Sequence, residues 1–256
     1  MQRHLNKKPV LGVLGGMGPL ATLYFYELLI LHTQAVKDAD HLDVIISGRA
    51  STPDRTAYIL NNKLANPVEV IARDLASLIN YGATCIAIPC NTSHFFYEEL
   101  RNISAVPILN MVKDTVAMLS QRYKHIGVLA TDGTVQAGLY QKACKHFGME
   151  CSVPKVQNQK KLMQIIYDQI KQGKKADLKS FLRITEDLVR QGCERIILGC
   201  TELSLIKRDE KLDDFFLDSM EVLAYYSIVA CNKVPVGFSE EFYLLAADLK
   251  KQIKYA

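Results

Sequence analysis

Apolar residues fall along this chain in short runs separated by longer amphipathic stretches. The first run, VLGVL at residues 10–14, ends in Gly15-Gly16-Met17-Gly18-Pro19. An uninterrupted apolar run of that length, closed by a turn, reads as a buried strand. Pro19 suits a first helical position. Leu23, Tyr24, Leu28 and Leu31 then recur at helical spacing, which predicts a helix over 20–36. HLDVIIS at 41–47 predicts a second strand, and GRASTPDR at 48–55 a polar turn. Residues 67–81 carry an amphipathic helical pattern ended by Gly82. A third strand follows at 84–88, then a turn at Cys90 and a helix through about residue 102. A fourth strand is expected at 106–109 and a helix at 111–123.

The pattern then begins again. HIGVLA at 125–130 resembles the opening strand, and at an offset of 115 Gly12, Val13, Leu14 and Gly18 match Gly127, Val128, Leu129 and Gly133. A helix to residue 146, a strand at 148–153, a turn at 154–159 and helices at 161–172 and 176–191 follow. The series closes with a strand at 195–198, a turn at Cys200, a strand at 215–217 and a helix from about Met220. Each half reads β-α-β-α-β-α-β-α, which implies a parallel sheet with helices on both faces. The expected fold is therefore α/β, with two pseudo-symmetric lobes, each a four-stranded parallel sheet flanked by helices. Lobe 1 is placed at 1–118, with 222–256 packing back on it, and lobe 2 at 119–221. Ligands of such sheets bind beyond the carboxyl ends of the strands, so the active site is expected in the cleft between the lobes.

Two matching stretches fall at those strand ends, GATCIAIPCNTSH at 82–94 and GCERIILGCTELS at 192–204. In each, a glycine is followed eight residues later by a cysteine, Cys90 in one and Cys200 in the other. A cysteine between a strand and a helix meets unpaired N–H groups and a positive dipole end, which favour a thiolate. Either cysteine alone reads as a small buried hydrophobe. Matched in position, they suggest two acid–base groups facing one substrate, suited to proton transfer at carbon. Cys85, Cys144, Cys151, Cys193 and Cys231 have no counterparts and read as structural. Thr92 and Thr201 suit helix capping and also, with Asn91, donation to a substrate carboxylate or carbanion. Arg55 is either a loop charge or a carboxylate partner, and Lys171 on spacing alone is a surface lysine. His94 is either a helix-face residue or a group that tunes Cys90. Gly16-x-Gly18-x-x-Ala21 matches a loose dinucleotide fingerprint, but no acidic residue ends the second strand, and only Arg49 offers an NADP contact. The fingerprint reads as a tight turn approaching the cleft.

Composition narrows the classes of function. With 49% apolar and 23% charged residues among 256, the chain has the balance of a soluble globular protein. A net charge of +4, with lysines gathered between 155 and 179, reads as a solvated face, so no nucleic-acid partner is expected. The apolar runs are too short to span a bilayer, and MQRHLNKKPV lacks the apolar core of a signal peptide. A cytoplasmic setting is expected. Seven cysteines without a C-x-x-C pair argue against disulfides and zinc, and no metal is expected.

GGMGPLAT (15–22), PDRTAYIL (53–60), PCNTSH (89–94) and GCTEL (199–203) together resemble the aspartate/glutamate racemase family, closest to its aspartate racemase and broad-specificity amino-acid racemase branch. The resemblance implies a cofactor-independent racemase that interconverts L and D enantiomers by two-base proton transfer between Cys90 and Cys200, and a homodimer. It places carboxylate binding on Arg55 and a conserved lysine on Lys171. Met17, Asn91, Thr92, Thr201 and Glu202 complete the expected substrate-binding set. The glutamate branch opens with Asp-Ser-Gly and carries His after the second Cys-Thr, where this chain has Gly15-Gly16-Met17 and Glu202. The related arylmalonate decarboxylases keep one of the two cysteines. Ser93 stands where Ala is common. Met220 and Leu223 replace a Thr and a His of the family pattern, and there they would shape the substrate end of the cleft. A non-catalytic two-lobed protein that closes on an amino acid or small carboxylate is the alternative reading.

Overall fold

Seven strands form two separate parallel sheets in the computed structural model, which describes residues 8–253. Residues 1–7 and 254–256, included in the expected lobe boundaries, lie outside the described residues. The first sheet contains β1 (Val10–Gly15), β2 (Asp43–Gly48) and β3 (Cys85–Ala87) in the order β2-β1-β3. The second contains β4 (His125–Ala130), β5 (Glu150–Ser152), β6 (Arg195–Gly199) and β7 (Phe216–Asp218) in the order β5-β4-β6-β7. The two orders trace one path twice. The internal repeat reappears in the register, since Gly12 pairs with Ile86 and Gly127 with Ile196. A Cβ at Gly12 would come within 2.7 Å of the Ile86 side chain, and one at Gly127 within 2.5 Å of Ile196. The same close packing therefore requires the same glycine in both halves.

The expected fourth strand of the first sheet is reduced to one bridge between Ile86 and Ile108. Ile86 N–H donates to Pro107 O and Leu109 N–H to Ile86 O, both at 2.9 Å. Pro107 has no N–H to extend the ladder.

The helices α1 (Pro19–Leu31) and α2 (Arg55–Leu60) lie on either side of β2 in sequence. Helix α1 ends before residue 36 because the chain there pairs with a later segment. Thr33 bridges Pro235, Val236 N–H donates to His32 O at 2.8 Å, and Gln34 N–H to Val234 O at 2.9 Å. The short α2, which falls just after the predicted polar turn, is capped by Asp54, whose carboxylate accepts from Ala57 N–H at 2.8 Å. Next come α3 (Val68–Asn80), a 3-10 turn (Thr92–Phe96), α4 (Tyr97–Ile103) and α5 (Met111–Leu119). The single helix predicted to reach residue 146 divides into α6 (Asp132–Gln136) and α7 (Leu139–His146). Gly138 separates them in a left-handed conformation, φ 65°. Helix α8 (Val156–Gln164) starts inside the predicted turn and continues as a π turn (Ile165–Gln169) and a 3-10 turn (Ile170–Gln172). The chain finishes with α9 (Leu178–Arg190), α10 (Thr201–Glu210), α11 (Ser219–Ala230) and α12 (Glu240–Ile253).

Helix α11 packs on α1 and α5 and touches β3, β6 and β7, so it meets strands of both sheets. Its Met220, Leu223 and Ile228 share one buried cluster with Leu11, Val13 and Phe25 on one side and Leu129, Ile196 and Leu198 on the other. Each such side chain, fully buried, stabilises the fold by about 1.5–3 kcal/mol. Among the described residues no helix is long and apolar enough to cross a membrane.

Candidate active site

The equivalent strands β3 and β6 both run out into the space between the sheets. Cys90 follows β3 and leads into the five-residue 3-10 turn; Cys200 follows β6 and is the N-cap residue of α10. Both are buried, with exposures of 5% and 4%. Both line one pocket together with Met17, Arg55, Asn91, Thr92, Lys171, Thr201 and Glu202. All nine residues singled out in the sequence are thus brought to one place. The pocket's cavity volume is about 10 Å³, the space of roughly one water. An amino-acid-sized ligand needs more room than that.

The two thiols have different neighbours. Arg55, 9% exposed, donates from Nη1 to the Thr52 and Pro53 carbonyls at 3.3 and 3.1 Å and from Nη2 to the Met17 carbonyl at 3.2 Å. Its buried Nε has no hydrogen-bond partner among the described residues. Burial works against the guanidinium charge, but Cys90 and Asp54 outweigh it and hold Arg55 above its usual value. Cys200 instead donates its S–H to Glu202 Oε2 at 3.0 Å, and Lys171 Nζ binds the other carboxylate oxygen. Burial, then the Glu202 charge, pushes the Cys200 thiol well up, with Lys171 opposing. The helix terminus expected to favour a thiolate is outweighed there. At Lys171, burial is outweighed by Glu202 and Cys200, and the ammonium is held above its usual value.

Hydroxyls and one amide join the lobes around the pocket. Thr92 Oγ1 lies 2.9 Å from Thr131 Oγ1 and 3.0 Å from Thr134 Oγ1, and Thr56 Oγ1 donates to Thr131 Oγ1 at 3.3 Å. Neither Thr92 nor Thr201 caps a helix with its side chain. A Cβ on Gly133 would meet Thr56 Cα at 2.8 Å, so glycine is what lets α6 approach α2. Asn91 Oδ1 accepts from Tyr140 O–H at 2.6 Å, while its Nδ2 donates to Ser219 Oγ at 3.0 Å.

Asp54, Thr56, Thr131 and Tyr167 also line the pocket and did not stand out in the sequence. Tyr167 O–H donates to Asp54 Oδ2 at 3.2 Å across the cleft, and Lys171 Nζ lies 5.4 Å from its ring centre. Tyr167 carried no signal in the sequence, because the π turn it sits in breaks the helical spacing to Lys171. For Thr131 the available signal was the repeat, which places it opposite Gly16 at the end of the opening strand.

Other residues singled out in the sequence lie away from the pocket. Met220 and Leu223 are buried in the apolar core, 0% and 1% exposed, and do not line the pocket. Arg49 is bonded from Nε and Nη2 to Asp74 at 2.6–2.9 Å, so no free cation remains there for a nucleotide phosphate. All seven cysteines are free, with the Cys85 and Cys231 sulfurs 3.8 Å apart. Among the described residues no group of three or more His, Cys, Asp or Glu side chains is placed to hold a metal ion.

Fold and pocket define a two-lobed α/β protein with a pocket beyond the carboxyl ends of equivalent strands, lined by one cysteine from each lobe. The chain belongs to the Asp/Glu/hydantoin racemase family, whose sequence model matches residues 14–226. The broad specificity amino-acid racemase RacX of Bacillus subtilis (strain 168) is 27% identical over 219 residues, spanning 84% of this chain and 95% of the relative. The solved structure of Picrophilus torridus aspartate racemase has a TM-score of 0.77 at 27% identity, covering 93% of this chain and 99% of that one. Glutamate racemase from Francisella tularensis subsp. tularensis SCHU S4, solved in complex with D-glutamate, has a TM-score of 0.63 over 94% of this chain and 93% of its own. At 16% identity that likeness is one of fold alone.

Proposed function

We propose that this protein racemises amino acids by moving one proton off the α-carbon on one face and another onto the opposite face, with Cys90 and Cys200 as the two bases. The observation that carries the reading is the unequal pair of thiols in one closed polar pocket. Cys90 has the Arg55 cation beside it, whereas Cys200 holds its S–H toward Glu202. In one direction Cys90, as thiolate, takes the α-proton, so the Cα–H bond breaks and an S–H bond forms. The electron pair spreads into the substrate carboxylate, where Arg55 and the hydroxyls of Thr92 and Thr201 stabilise it. Cys200 gives its proton to the other face and is left as thiolate. The reverse reaction exchanges the two roles, which matches a site built from repeated halves. No pyridoxal phosphate takes part.

The pocket sets two cations, Arg55 and Lys171, against two carboxylates, Asp54 and Glu202; the substrates the reading takes first are aspartate and glutamate, after the family, with a broader amino-acid range as the extension. Seven free thiols suit a reducing compartment, and we place the enzyme in the cytoplasm as a homodimer. The test is racemisation by Cys90→Ser and Cys200→Ser, each of which is expected to abolish turnover. Full activity in either variant removes the mechanism. Ligand-induced thermal stabilisation without any racemisation in the unmodified protein would favour a binding protein instead.

A further inference from the structure

The repeat relates more than the two cysteines. Position 94, four residues after Cys90, corresponds to position 204, four residues after Cys200, and Met111 corresponds to Met220. In the second lobe Ser204 Oγ donates to Asp218 Oδ1 at 2.7 Å, and the same oxygen accepts from Met220 N–H at 2.9 Å. In the first lobe the residue matching Asp218 is Leu109, which has no carboxylate. There His94 spans the distance alone, its Nε2 accepting from Met111 N–H at 3.1 Å. That bond assigns the tautomer: the hydrogen sits on Nδ1, which donates to the Cys90 carbonyl at 3.0 Å. His94, Ser204 and Asp218 are all buried, at 5%, 0% and 0% exposure.

We infer that His94 and the Ser204–Asp218 pair are equivalent braces, tying the cysteine turns to the starts of α5 and α11 respectively, and so are positioning residues for the two thiols. The braces differ in one respect. His94 also holds the peptide of Cys90 itself, whereas the Cys200 carbonyl accepts from Leu203 N–H at 2.9 Å within its own helix. Loss of His94 therefore reorients Cys90 and leaves Cys200 in place. A proton transfer between fixed groups is sensitive to such a shift, since about 1 Å of misplacement costs on the order of a hundredfold in rate. The catalytic part of this inference rests on the proposed racemase activity; the bracing itself does not.

The test uses two substitutions that keep opposite halves of the imidazole. His94→Asn keeps a donor at the Nδ1 position, facing the Cys90 carbonyl. His94→Gln keeps an acceptor near the Nε2 position and loses the bond to Cys90. The main readout is alkylation of each thiol by iodoacetamide, followed by peptide mass spectrometry. His94→Gln, which loses the bond to the Cys90 carbonyl, is expected to change the Cys90 rate by about fivefold or more, and His94→Asn, which loses only the bond to Met111, by about two- to fivefold, with Cys200 unaffected in both. Ser204→Ala is expected to change Cys200 and spare Cys90. In racemisation, His94→Gln should lower kcat by about tenfold or more while KM stays within about threefold. The inference is overturned if His94→Gln leaves the Cys90 rate unchanged, or if it moves both thiols together. It is also overturned if Ser204→Ala alters Cys90. If His94→Gln does not fold, Ser204→Ala decides the matter. Absence of racemisation in the unmodified protein would defeat the functional reading, and the alkylation pattern would still decide the bracing.

Discussion

Tyr140 and Asn91 offer a direct way to weigh the contact between the lobes. Tyr140 lies on α7 and is 1% exposed; its hydroxyl donates to Asn91 Oδ1 at 2.6 Å, next to Cys90 in the chain. Asn91 passes the connection on through Nδ2 to Ser219 Oγ, which donates to Leu198 O at 2.7 Å, two residues before Cys200. Tyr140→Phe keeps the ring, so little packing is lost. It removes the donor and leaves Asn91 Oδ1 buried without a partner, at a cost of about 1–3 kcal/mol. In a chain of this size each kcal/mol lowers Tm by about 2–4 °C, so a fall of roughly 6 °C is expected. Urea unfolding and calorimetry measure it. A double-mutant cycle with Asn91→Ala should then return a coupling of about 1 kcal/mol or more. A Tyr140→Phe protein within about 0.5 kcal/mol of the parent, or strictly additive substitutions, would refute the bridge as an energetic link between the lobes.

Three further outcomes follow from the geometry. Arg55→Lys loses the fork that reaches the Met17, Thr52 and Pro53 carbonyls together, and steady-state kinetics should show kcat/KM lower by about tenfold or more; an unchanged value would release Arg55 from the site. Gly133→Ala places a methyl 2.8 Å from Thr56 Cα, and chemical denaturation should show about 1–3 kcal/mol of destabilisation from overpacking. Burial pushes the Asp114 carboxyl up from 3.8 to about 6. The folded state therefore binds the extra proton between those values, and its stability falls as pH rises through them. Asp114→Asn should match the parent near pH 4 in a pH series of melts and exceed it above pH 6, by up to about 3 kcal/mol.

Much of the pocket was legible because a duplication converts local pattern into spatial correspondence. Cys90 and Cys200 follow equivalent strands of equivalent sheets, so matching them along the chain was enough to bring both to one pocket. What escaped were effects of single residues on local geometry. Pro107 cuts the fourth strand of the first sheet to a bridge, and Gly138 splits a helix whose apolar spacing reads through it. The π turn at Ile165–Gln169 carries Tyr167 and precedes Lys171, so the face that enters the cleft does not follow simple helical periodicity. The Lys171–Glu202 pair joins residues 31 apart in the chain, and nothing in either local sequence announces it. Met220 and Leu223 stand at positions where the family pattern has polar residues, yet α11 turns both into the core.

In the proposed reaction two different bases serve the two faces of one α-carbon. The most direct measurement is racemisation of each enantiomer of aspartate and glutamate in heavy water, stopped early, with deuterium at Cα measured separately in remaining substrate and in product. Two thiols on opposite faces should put solvent deuterium into the product, while the remaining substrate keeps its original hydrogen, in both directions. Equal label in the two pools, or product that retains the substrate's own hydrogen, would contradict the two-thiol mechanism.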